Sequence, residues 1–200
     1  MDVDTGNVTG EAAPRRRNAA STREAILRSA KIAFTRYGYD GIGVREIAQG
    51  AGVTAMLVNR YFGSKELLFT ETVEAVFAEP TLLTNDAATL SRFAAAALVG
   101  NESHESDHVD GFLLMLRSVS NPRAADILRD SIERHFEQQL AALLPGPDSH
   151  ERVALFLSLI AGFQLMHNVL DSAAMTRADP AALARRLGVL FQQLLDPAPA

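Results

Sequence analysis

The sequence predicts an all-α protein: an N-terminal three-helix helix-turn-helix DNA-binding domain, then a C-terminal helical domain. Three observations carry this reading. Apolar residues recur at three- and four-residue spacing along most of the chain, and nothing alternates with period two over a useful length. Two short amphipathic segments flank Gly50 and Gly52, and two helices about a glycine turn make a helix-turn-helix, whose second helix enters the major groove. The charge is also divided. Residues 13–65 carry ten Arg and Lys against Glu24, Asp40 and Glu46, a net +7, whereas residues 66–200 carry nine Arg against eighteen Asp and Glu, a net −9. A basic patch supplies sequence-independent attraction to phosphate, and an acidic remainder discourages nucleic acid from wrapping the rest.

Residues 1–20 are small and polar with no apolar period, so a disordered tail is expected. Its Arg15, Arg16 and Arg17 either stay solvated or form a basic arm against phosphates or a minor groove. Residues 21–65 form the expected DNA-binding domain. Ser21 or Thr22 can cap its first helix, with Ile26, Ala30, Ala33, Phe34 and Tyr37 as the inward stripe. Gly38 ends that helix, and residues 40–43, DGIG, form a turn. Val44, Ile47 and Ala48 are the apolar face of the second helix. Thr54 can cap the third, which turns Val58 and Phe62 inward. By position, Thr54, Ala55, Met56, Leu57, Asn59, Arg60 and Tyr61 face DNA. Asn59 matches adenine's major-groove edge and Arg60 suits guanine or phosphate, while Ala55, Met56 and Leu57 offer only apolar contact, for example to a thymine methyl.

Residues 66–200 make the larger domain. A helix runs from Ser64 to about Phe77, and others are expected at about 86–100, 108–119, 123–144, 149–173 and 180–195, punctuated by Pro80, Pro122, Pro145, Pro147 and Pro180. Residues 153–166, VALFLSLIAGFQLM, are apolar nearly all round, and such a helix must be covered on more than one side. Ala161 and Gly162 are small enough for a second helix to approach. The last helix carries Leu183, Leu187, Leu190, Phe191 and Leu194 on one stripe. Two copies of this helix pair would close a four-helix bundle, a homodimer interface through Ala161, Gly162, Leu187, Phe191 and Leu194.

Several function classes lose support. There is no cysteine, so disulfides and thiolate metal sites are excluded. No uninterrupted apolar run approaches the roughly 18 residues of a membrane span, and the N-terminus lacks the apolar core of a signal peptide. A cytoplasmic protein is expected, with no membrane partner. His104 and His108 have metal-ligand spacing, but their segment has no apolar support, and no metal or cofactor is expected. No nucleophile–base pattern or phosphate-cradling loop argues for an enzyme.

Residues 23–68 resemble the tetracycline-repressor (TetR) family of transcriptional regulators. Arg23, Ile26, Leu27, Ala30, Phe34, Gly38 and Tyr39 match its first helix. Val44, Arg45, Ile47, Ala48, Ala51, Gly52, Val53 and Thr54 match its second helix and turn. Tyr61, Phe62, Ser64, Lys65 and Leu68 match its closing Y-F-x-S-K-x-x-L motif. The resemblance implies that Arg45, Tyr61 and Lys65 contact phosphates, which sets register without reading sequence. It also implies a ligand pocket in the C-terminal domain, for which the candidate lining is Phe93, Phe112, Met115, Phe136, Phe163 and His167, with Arg117, Gln164, Met166 and Asn168 as further walls or anchors. Position 43 often carries a hydroxyl cap in this family, and positions 55 and 57 often carry Lys and Thr. Here they are Gly43, Ala55 and Leu57. The reading is a one-component regulator, a repressor, that binds an inverted-repeat operator in double-stranded DNA as a homodimer and responds to a largely apolar small molecule. The alternative is a constitutive DNA-binding regulator with a packed, ligandless body.

Overall fold

The computed structural model describes residues 12–78, 86–100, 107–144, 146 and 148–197. Among them are eleven α-helices, two π-helical turns and no strand. The first helix, α1 (Ala12–Tyr37), begins well before Ser21. Its opening residues explain this. Alanine and arginine are strong helix formers, and Pro14 sits in the first turn, where its missing N–H would have no partner anyway. The expected tail is therefore helical from Ala12. Residues 1–11 and the side chains of Arg15, Arg16 and Arg17 lie outside the described residues, as does the His104–His108 pair.

The reader follows as α2 (Val44–Gly50) and α3 (Ala55–Phe62), and α4 (Lys65–Phe77) leads into the body. The body contains α5 (Ala87–Val99), α6 (Asp107–Ser118) and α7 (Pro122–Ile132). A π-turn (Glu133–Glu137) carries α7 directly into α8 (Gln138–Leu143). The chain then forms α9 (Ser149–Gln164), extended by a second π-turn (Leu165–Val169), a short α10 (Ala173–Thr176), and α11 (Pro180–Leu195). The long helix expected to reach residue 173 stops earlier. Asp171 takes a left-handed backbone (φ 48°), which aspartate tolerates better than most residues, and the chain restarts as α10.

The apolar side chains gather into two clusters. The first joins Ile26, Ala30 and Phe34 of α1, Ile47 and Ala48 of α2, and Val58 and Phe62 of α3 to Leu68, Phe69, Val73, Val76 and Phe77 of α4, Leu114 of α6, and Ala124 and Leu128 of α7. The second joins Leu90, Ala94 and Leu98 of α5, Leu140 of α8, Val153, Phe156, Ile160 and Phe163 of α9, and Leu187, Phe191 and Leu195 of α11. Within the first, Phe34, Tyr39 and Phe69 pack together, with the edge-on Phe34–Phe69 rings 5.0 Å apart. Tyr37 does not join the inward stripe. It is 48% exposed, and Tyr39, two residues on, fills the place against Phe34. The break at Gly38 (φ 71°) is what turns the chain between them.

Candidate DNA-binding interface

Local chemistry sets the reader's geometry. The turn between α2 and α3 passes through Gly52 in a left-handed conformation (φ 68°), which glycine adopts without strain. Thr54 then caps α3, its Oγ1 accepting from the Leu57 amide at 3.3 Å. Ser64 caps α4 in the same way, from Leu67 at 3.1 Å. Gly43 stands at the N-cap of α2 without a side chain to accept a bond. The Glu46 carboxylate folds back instead, to 2.6 Å from where a Cβ on Gly43 would lie, placing negative charge at the positive end of that helix. Ser29 of α1 donates to the Ile47 carbonyl at 2.8 Å, fixing α2 on α1.

With α3 so held, Val58 and Phe62 are buried while Thr54, Met56, Asn59 and Arg60 are exposed; Ala55, Leu57 and Tyr61 are half-buried. Arg45 is exposed on α2. Lys65 is half-buried with its Nζ 4.6 Å above the Tyr39 ring. Burial and the neighbouring Glu66 and Asp40 charges push the Tyr39 hydroxyl's pKa up, with Arg123 opposing, so this ring stays neutral beneath the ammonium. Arg23 lies 4.9 Å over the Phe62 ring and is paired with Glu71 of α4, which ties the end of α3 to α1 and α4.

The α6–α7 turn grips this unit from the body side. Arg117 Nη1 donates to the carbonyls of Thr35 (2.6 Å) and Arg36 (3.1 Å), the last turn of α1. The Tyr39 amide donates to Ser118 Oγ at 3.1 Å. The Asn121 side-chain amide donates to both Asp40 oxygens (2.9 and 3.0 Å), while its own oxygen caps α7. Arg123 pairs with Glu66 of α4 at 3.0 Å. Further along α4, Glu74 accepts from Ser131 (2.8 Å), Arg134 (2.7 Å) and His135 (2.7 Å). Burial pushes the Glu74 carboxyl up, but those donors together outweigh it and hold the pKa below the ordinary value. Arg117 therefore anchors the joint between reader and body and is not a pocket wall. The sequence carried no signal for this joint, since its members are dispersed and polar.

The comparisons agree with this geometry. Residues 26–72 match the model of the bacterial regulatory proteins of the tetR family, and residues 88–195 match that of the tetracyclin repressor-like C-terminal domain. The chain belongs to the TetR family. It is a DNA-binding transcriptional regulator and not an enzyme. It is 51% identical over 51 residues to the HTH-type transcriptional regulatory protein RaaS of Mycobacterium tuberculosis; that stretch spans 25% of this chain and 24% of RaaS. Among solved structures, a TetR-family regulator from Rhodococcus sp. aligns with a TM-score of 0.66 at 15% identity, covering 88% of this chain and 100% of that one. NalD of Pseudomonas aeruginosa, the secondary repressor of the MexAB-OprM multidrug efflux pump, aligns at 0.61 and 20% identity, covering 88% and 97%.

Within this TetR-family body, the candidate ligand residues divide. Phe112 and Phe163 are buried, and Met115 and Phe136 pack at the edge of the first cluster. His167 stacks on Phe163 (5.1 Å) and hydrogen-bonds Asn168 Oδ1 at 2.7 Å. Beside it, the side-chain amide nitrogens of Gln164 and Asn168 are buried without a partner among the described residues. Phe93 differs from the others: it is 45% exposed on α5. None of the six lines the groove of about 570 Å³ between α5 and α11, whose lining includes Ala88, Ala184, Gly188, Arg92 and Arg185.

The expected dimer residues divide as well. Phe191 is fully buried within its own subunit, 4.7 Å from the Phe156 ring, and Leu187 is buried beside it. Neither can meet a partner. The apolar stripe of α11 is wide, and its centre line of Leu187, Phe191 and Leu195 faces α5 and α9. Ala161 and Leu194 are half-buried and Gly162 is exposed. Around them Leu155 of α9, Met166 of the π-turn that extends it and Leu190 of α11 are exposed apolar side chains. By length and composition, the helix Ser149–Val169 is apolar enough to cross a membrane, which the uninterrupted-run criterion did not anticipate. Here one side of it packs into the second cluster and the other carries this apolar stripe.

Proposed function

We propose that this regulator binds an inverted-repeat operator as a homodimer, acts as a repressor, and works in the cytoplasm. A largely apolar small molecule bound in the C-terminal domain modulates it. The supporting observation is the placing of two exposed faces on different elements. α3 presents Met56, Asn59 and Arg60, and α9 with its π-turn and α11 present the exposed Leu155, Gly162, Met166 and Leu190, edged by the half-buried Leu159 and Leu194. Leu155, Leu159, Gly162 and Met166 recur at three- and four-residue intervals, a continuous helical face that a second subunit would cover. An operator with two-fold symmetry needs two readers one helical turn or more apart, and this pairing supplies them. NalD, similar in fold, is a repressor. For sensing, the unpartnered amide donors of Gln164 and Asn168 beside the Phe163–His167 stack supply the few polar groups that an apolar ligand site uses.

Selection of bound duplexes from a random pool tests the operator reading. Enriched sequences should be inverted repeats, and sedimentation should find two subunits on each. Enrichment of single, unpaired half-sites would overturn it. A thermal-shift screen tests sensing, because a ligand that prefers the folded state raises its melting temperature. Binding of no compound, with full DNA affinity throughout, favours the constitutive regulator.

A further inference from the structure

Resting on the operator reading, we propose that Met56 reads a thymine methyl in each half-site, on a T·A pair next to or one step from the pair that Asn59 contacts. Three apolar residues open α3, and the structure separates them. Ala55 is half-buried against the first cluster. Leu57 is half-buried, with its amide bonded to the Thr54 cap. Met56 alone of the three points outward, at 79% exposure, the largest value for a large apolar side chain among the described residues. An apolar side chain so largely in water buries little surface in the fold, so its surroundings decide what it can do. It shares a face with Asn59 and Arg60, three and four residues on, both exposed.

That face fixes the class of partner. Asn59 carries the donor–acceptor pair that fits adenine N6 and N7, and Arg60 suits guanine or phosphate. The base-edge group in the major groove that offers an apolar surface is the thymine C5 methyl. Three residues of helix rise about 4.5 Å, between one and two base-pair steps of about 3.4 Å. Met56 and Asn59 thus address neighbouring pairs. An unbranched thioether adapts to a methyl without needing one rotamer.

The test uses the full-length protein and the duplex that selection returns. Each thymine in the half-site is replaced in turn by deoxyuridine, which changes only the C5 methyl to hydrogen. One position should weaken binding by about fourfold, and by about fifteenfold when both half-sites are changed, the scale of one methyl removed from water per half-site. Met56→Ala should bind the thymine and deoxyuridine duplexes equally well and melt as the unmodified protein does. Replacing that T·A by C·G and methylating the cytosine at C5 should recover part of the loss. If no deoxyuridine position costs affinity, or if the cost survives unchanged in Met56→Ala, the assignment is overturned. If selection enriches no symmetric sequence at all, the operator reading itself fails.

Discussion

The two apolar clusters are built to different ends. The first runs without interruption from the helix-turn-helix through α4 into α6 and α7, and polar ties at Arg117, Ser118, Asn121, Arg123 and Glu74 surround it. The second, of α5, α8, α9 and α11, is bordered by exposed apolar side chains. The packing boundary therefore does not fall at residue 65, where motif and charge both place the domain boundary. Two body helices share a core with the reader, so a shift of α6 or α7 must be felt there. Directional polar bonds suit a joint that has to hold one geometry, and an uncovered apolar stripe suits a surface awaiting its match.

The strongest way to break this comparison is to empty each cluster in turn. Phe34→Ala and Phe156→Ala should each cost about 3–5 kcal/mol, lost transfer energy plus a cavity. The chain has no tryptophan, and its three tyrosines, Tyr37, Tyr39 and Tyr61, all belong to the reader. Tyrosine fluorescence during urea unfolding thus follows the first cluster and circular dichroism follows both. Phe156→Ala should separate the two curves if the clusters unfold independently, and shift both together if they form one cooperative unit.

A charge on the stripe comes next. Leu190→Glu should leave a folded monomer in sedimentation and weaken operator binding by about 10²-fold or more, since linked binding of two half-sites is lost. Phe191→Glu, one residue on, should unfold the subunit instead, because it would bury a carboxylate with no partner. On the reader, Asn59→Ala should cost about 1–3 kcal/mol, felt mainly as lost base discrimination. Lys65→Ala should weaken binding to all sequences and lower the salt slope by about one.

Smaller effects test the joint. Asn121→Ala removes the α7 cap and the tie to Asp40, at about 1 kcal/mol of stability; a ligand found in the body should then alter DNA affinity less than before. The smallest effect is acid sensitivity at Glu74. Its carboxyl is held below its ordinary 4.5, so its contribution is complete above that value and fades as pH falls through the folded-state value. Over that range Glu74→Gln should lose less melting temperature than the unmodified protein.

Much of this was legible in the sequence because it depends on local periods. Most helix spans, the Gly52 turn and the cap at Thr54 follow from single residues and spacing. What the sequence hid depends on width and distance. Leu187, Leu190, Phe191 and Leu194 share one broad stripe, and periodicity alone cannot say which edge faces a partner and which the subunit's own core. Tyr37 and Tyr39 are equally plausible inward residues until Gly38 turns the chain. Arg117 reads in the sequence as a pocket wall or anchor and Asn121 as part of the break at Pro122, because their partners lie about eighty positions earlier.

At Gly38 the reader lies directly against the body. A Cβ there would stand 2.2 Å from the Arg117 carbonyl oxygen, so main chain rests on main chain with no side chain between to yield. Such a contact has no slack. A rod as long as α1, about 39 Å, moves its far end by about 3 Å for a tilt of about 5° at its near end, close to the rise of one base pair. Gly38 is thus a fulcrum as well as a turn. Even alanine at this position would force the two backbones apart, changing the angle at which the reader meets DNA without touching any residue that faces it.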